Sequence, residues 1–124
     1  MLRHSGLPID WRNRLQLRTV TAALCQDLRQ EIASFDAGAI READLKNVYE
    51  TVYQETTVDL LDALMHYAPA GWGFTIGQAP GGQRIYKSPE YDIAAGPLHA
   101  SMAATEVGTI VQALEYLVAR VPEN

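Results

Sequence analysis

Residues 71–93, "GWGFTIGQAPGGQRIYKSPEYDI", decide how this chain is read. Five of its nine glycines fall here, between two regions whose apolar residues recur at helical spacing. Such a stretch can cradle a ligand or simply reverse the chain. Trp72, Phe74 and Ile76 alternate with Gly73, Thr75 and Gly77, which is the period of a strand. "APGG" has turn composition, and Arg84, Ile85, Tyr86 and Lys87 read as a returning strand. With Pro80 and Gly81 at the turn centre, Ile76 would oppose Ile85 and Thr75 would oppose Tyr86. A phosphate-binding loop needs its glycines between a strand and a helix N-terminus. Here a strand follows, and neither GxGxxG nor GxxxxGKS/T occurs. The spacing therefore predicts a β-hairpin over residues 72–88, with "KSPEYDIAAGP" crossing back irregularly.

Both flanks read as helix. Leu17, Val20, Leu24, Leu28, Ile32 and Phe35 form one apolar stripe, preceded by Asp10 as a candidate cap and closed at Gly38, suited to a left-handed helix end. Residues 41–67 carry a second stripe through Leu45, Val48, Tyr49, Val52, Leu60, Leu61, Leu64 and Tyr67. "ETTVD" interrupts it, and Thr56 with Asp59 resembles a capping pair, so one bent helix or two shorter ones fit equally. A last helix is predicted from near Pro97, with Met102, Val107, Ile110, Val111, Leu114, Leu117, Val118 and Val121 as its stripe and Pro122 as its stop. The predicted class is α+β and predominantly helical, in the order helix–helix–β-hairpin–helix. It forms one compact domain over residues 1–124, with residues 1–9 a mobile N-terminal segment.

A chain of 124 residues can bury a core without metal or disulfide support. Cys25 is its only cysteine, so no intrachain disulfide can form. The start of the chain lacks the apolar stretch of a secretion signal, and no apolar run reaches membrane-spanning length. These features read as a soluble, cytoplasmic protein without a membrane role. The net charge of −5 conceals a basic first helix on an acidic body: Arg3, Arg12, Arg14, Arg18 and Arg29 face only Asp10 and Asp27 within the first 30 residues. Nucleic-acid binding is disfavoured, because phosphate neutralisation needs a dominant basic face.

Three constellations could carry function. Glu55, Asp59, Asp62 and His66 share one strip of a continuous helix. They could ligate a divalent metal or supply an acid/base pair, giving a metal-assisted hydrolase on Asp59, Asp62 and His66, or they could form a solvated acidic face. Arg14, Arg18, Thr21, Cys25 and Arg29 form a polar stripe on the first helix, fit for carboxylate or phosphate on a partner, or else simply solvated. Arginine neighbours could lower the Cys25 pKa, although no base is placed to make it a nucleophile. Trp72, Tyr86 and Tyr91, with Phe74, Arg84 and Lys87, could stack a nucleotide-like ligand or simply pack on the helices.

No catalytic signature emerges and no cofactor is implied. The leading expectation is a non-catalytic accessory or inhibitory factor that binds a protein partner and forms a homo-oligomer, a dimer foremost. The first alternative is a protein that binds or sequesters a phosphate-bearing small molecule. The metal-assisted hydrolase is the second.

Overall fold

The computed structural model describes residues 9–67 and 103–123, together with the backbone of three short strands. Helix α1 runs Arg14–Asp36, α2 Glu42–Val48, α3 Gln54–Leu64 and α4 Ala103–Val118. A π-helical turn, Tyr49–Tyr53, joins α2 to α3, and a 3-10 turn, Met65–Tyr67, ends that region.

The cap of α1 lies three residues beyond the predicted one. Asp10 accepts the amide of Arg12 in a preceding turn, while the Asn13 side chain accepts the amide of Gln16 and caps the helix. The far end is as predicted: Gly38 takes φ +79°, where a side chain would be strained.

Of the two alternatives for the second region, the structure shows one helical stretch, unbroken from Glu42 to Tyr67, rather than two helices parted at "ETTVD". Its irregularity lies earlier, where the Gln54 amide reaches back to the Tyr49 carbonyl across one extra residue. An added residue rotates everything after it by about 100° around the helix axis. That rotation brings Tyr53, Thr56 and Thr57 into the core beside Tyr49 and Leu60. Thr56 and Asp59 form no cap; Thr57 Oγ1 donates to the Tyr53 carbonyl at 2.8 Å.

Leu17, Leu24 and Leu28 of α1, Leu45 of α2, Leu60, Leu61 and Leu64 of α3, and Val107, Ile110, Leu114 and Leu117 of α4 pack into one cluster. The predicted stripes of α1 and α4 supply it, with Val20, Ile32, Phe35 and Val118 at its margin. Burying such side chains contributes about 1.5–3 kcal/mol each before chain entropy is subtracted.

Over the residues whose packing is described, the chain is 81% helical, without strand or sheet, in three helical stretches. This overturns the α+β class and the helix–helix–β-hairpin–helix order, since no β-hairpin is seen in that body. The class follows from what builds the core, and alternation over a few residues specifies only local extended backbone. Between α3 and α4, only backbone is described, for β1 (Thr75–Gln78), β2 (Arg84–Lys87) and β3 (Asp92–Ala94), in antiparallel order β1-β2-β3. Even there the predicted two-strand register fails: Ile76 lies opposite Tyr86 and Thr75 opposite Lys87. The cause is a connection of five residues, 79–83, where the predicted turn allowed four. Residues 1–8, the turn centre at Pro80 and Gly81, and Pro97 and Met102 lie outside the described residues.

Candidate functional site

Helix α1 lies along α4, and the boundary between them falls on the predicted arginine stripe. Arg18, Cys25 and Arg29 sit on α1 between its core-facing leucines and its solvent-facing line. The stripe was read as a polar face turned from the core, but Thr21 and Cys25 are fully or almost fully buried there. Its arginines tie α4 and the residues after it to α1. Arg29 grips Glu115 of α4 through two hydrogen bonds, with Nε donating to Oε2 at 2.9 Å and Nη2 to Oε1. Arg18 Nη1 donates to the Pro122 carbonyl at 2.6 Å and Nη2 to the Glu123 carbonyl at 3.4 Å. Arg14, at the first position of α1, has no ion pair among the described residues.

Beside this seam opens a groove of about 530 Å³. Thr21, Ala22, Cys25, Gln26 and Ala33 line it from α1, Val118 from α4, and the Arg29–Glu115 pair lies along it. Its lining is overwhelmingly carbon, within the size range of ligand and partner clefts. On the solvent side of α1, Leu15, Thr19, Ala22, Gln26 and Ala33 are exposed and uncharged, with the exposed Arg29 between the last two. At 68% exposure, Leu15 is the only large apolar side chain among the described residues left so open.

The electrostatics follow from these placements. The hydrogen bond to Glu115 and then its charge hold Arg29 more firmly protonated. Burial, and secondarily the Glu115 carboxylate, push the Cys25 thiol up to about 12, while Arg29 opposes them weakly. The expected lowering by arginine is thus reversed, and Cys25 is a poor nucleophile. Thr21 Oγ1 is buried with no hydrogen-bond partner.

The structure does not assemble the acidic strip into a metal site. Glu55, Asp59 and Asp62 lie on α3, but the 3-10 turn takes His66 off the helical path. His66 stacks on Trp11 with ring centres 4.3 Å apart and planes 8° from parallel. Tyr67 pins the same tryptophan by donating its hydroxyl to the Trp11 carbonyl at 2.8 Å. Among the described residues, no three His, Cys, Asp or Glu side chains gather in a way that could hold a metal ion. The candidate ligand-stacking residues Trp72 and Tyr91 lie outside the described residues, and Arg84, Tyr86 and Lys87 are described by backbone only.

Sequence reasoning missed the groove. Its signal was present in the small and uncharged residues Ala22, Gln26 and Ala33, set around Arg29 on one side of α1. Among the described residues no helix is long and apolar enough to cross a membrane. No family model, no curated protein and no solved structure matches the chain, so its function is read from this geometry.

Proposed function

We propose that the protein is a non-catalytic interaction factor that docks a protein partner on the α1–α4 face. The observation that carries this reading is the groove itself: about 530 Å³, its exposed lining mostly carbon, with the paired Arg29 and Glu115 along it. Exposed apolar surface with a polar rim is a common form of interaction site. The reading shifts the docking determinant from the arginines to the groove. Arg18 and Arg29 already hold internal partners, so a ligand would compete with those bonds for them.

The test is comparative affinity purification from the source cells with wild type, Ala22→Glu and Asp62→Asn. The proposal predicts a protein captured by wild type and by Asp62→Asn but lost from Ala22→Glu, with thermal unfolding little changed. Identical captured sets for wild type and Ala22→Glu would refute it.

A further inference from the structure

The groove is mostly carbon along its length, but its two ends differ in charge. Its lining on α1 runs from Thr21 to Ala33, a rise of about 18 Å. Inside it, Arg29 and Glu115 are paired with each other. The same side of α1 continues towards its start through Arg18 and Arg14, one and two helical turns before Ala22. Arg18 donates to the main-chain carbonyls of Pro122 and Glu123, and neither it nor Arg14 joins an ion pair among the described residues. A carbonyl occupies a guanidinium hydrogen without cancelling the charge, so this end holds two positive charges that no described carboxylate meets. Asp27 and Glu31 project from the opposite side of α1. At the far end Asp36 stands one turn past Ala33 on the groove side, also outside any ion pair among the described residues.

These features set the chemistry of an occupant. A lining of carbon offers few partners to an incoming main chain, so a segment seated there must satisfy its own amides and carbonyls, which a helix does internally. About 18 Å of groove takes a stripe of about three helical turns. Carboxylates just past one end of that stripe would meet Arg14 and Arg18, whereas basic residues there would be repelled. Asp36 gives the acidic end one favoured direction. Arg18 acts through its charge and keeps its bonds to the two carbonyls.

We infer that the partner segment seated in the α1–α4 groove is an amphipathic helix whose apolar stripe ends in carboxylates, lying with its acidic end on Arg14 and Arg18. The inference rests on the docking-face reading and names the partner's chemistry: the groove holds the apolar stripe, and the two arginines choose which helix is held and which way it runs.

Fluorescence anisotropy with the full chain and two labelled synthetic helices tests this. Each peptide is about 18 residues long, to span the roughly 28 Å from Arg14 to Ala33, with leucines at i, i+3, i+4 and i+7 spacing. One ends in two glutamates, its twin in two lysines. The glutamate-ended peptide is expected to bind about tenfold tighter at low ionic strength, with the difference narrowing as salt is added. Arg14→Glu should erase that preference and Arg14→Lys should keep it. An acidic residue suits the first turn of a helix, so Arg14→Glu is expected to fold, and Arg14→Gln gives the same test if it does not. A glutamate-ended peptide that binds no tighter than its twin, or a preference that survives Arg14→Glu, would overturn the inference. So would a free chain that sediments as a dimer dispersed by Ala22→Glu, because a second copy would then fill the groove. The docking-face reading would survive these results and falls only if Ala22→Glu captures the same cellular proteins as wild type.

Discussion

Replacing Thr21 by valine should stabilise the protein. The Thr21 side chain is fully buried at the α1–α4 seam, and its hydroxyl has no hydrogen-bond partner. Burying a hydroxyl without a partner costs about 1–3 kcal/mol, because the bond it made to water in the unfolded chain is not replaced. Valine keeps the branched shape and nearly the same volume, and its helix propensity differs little from that of threonine. A gain of about 1–2 kcal/mol is expected, raising the midpoint of thermal unfolding by about 3–8 °C for a chain of this length. Thr57→Val is the internal control. Thr57 is equally buried, but its hydroxyl bonds to the Tyr53 carbonyl and shares a hydrogen bond with the buried Tyr49 hydroxyl. Its removal strands those groups and should cost about 1–2 kcal/mol. Thermal and urea unfolding followed by circular dichroism measure both variants. A Thr21→Val chain that melts at or below the wild-type temperature would refute the reasoning.

Other perturbations probe other parts of the account. Leu114→Ala, at a fully buried position of α4, should cost about 2–5 kcal/mol in urea unfolding with an unchanged denaturant slope. The Cys25 thiol ionises near 9.0 when exposed and near 12 when folded, so folding favours its protonated form. Its contribution is complete below pH 9 and declines as pH rises from 9 towards 12; Cys25→Ala should flatten the alkaline fall in unfolding free energy. Tyr49 and Tyr53 are raised chiefly by burial, add to the same alkaline fall and should leave part of it in that variant. Arg18→Ala removes the hydrogen bonds to the Pro122 and Glu123 carbonyls and should cost about 0.5–1.5 kcal/mol in unfolding free energy. Tyr67→Phe removes the hydrogen bond to the Trp11 carbonyl and should cost about 0.5–1.5 kcal/mol in unfolding free energy.

The helical core was legible because helical spacing and burial report the same thing. Leu17, Leu24 and Leu28 recur at intervals of seven and four, and all three are fully buried. The π-turn was not legible. Thr56 and Thr57 looked like an interruption because β-branched polar residues weaken a helix, whereas the Tyr49–Tyr53 turn has already rotated them into the core. No side-chain pattern in "YETVY" signals the added residue. The strand-like alternation of Trp72, Phe74 and Ile76 misled about class, since alternation specifies backbone conformation and says nothing of what closes the core.

At the site, the arginine stripe was found but its role was misread. Pattern alone cannot distinguish a guanidinium that awaits a partner from one already paired with Glu115, eighty-six positions along the chain. The groove was missed for a related reason. Chemistry-bearing residues attract attention, and a groove walled largely by Thr21, Ala22, Gln26, Ala33 and Val118 offers few of them.

Affinity purification from the source cells, with wild type and Ala22→Glu side by side, tests the docking face most directly. The account predicts a protein captured by wild type and lost from Ala22→Glu, with both chains folded. Identical captured sets would contradict a docking site on the α1–α4 face.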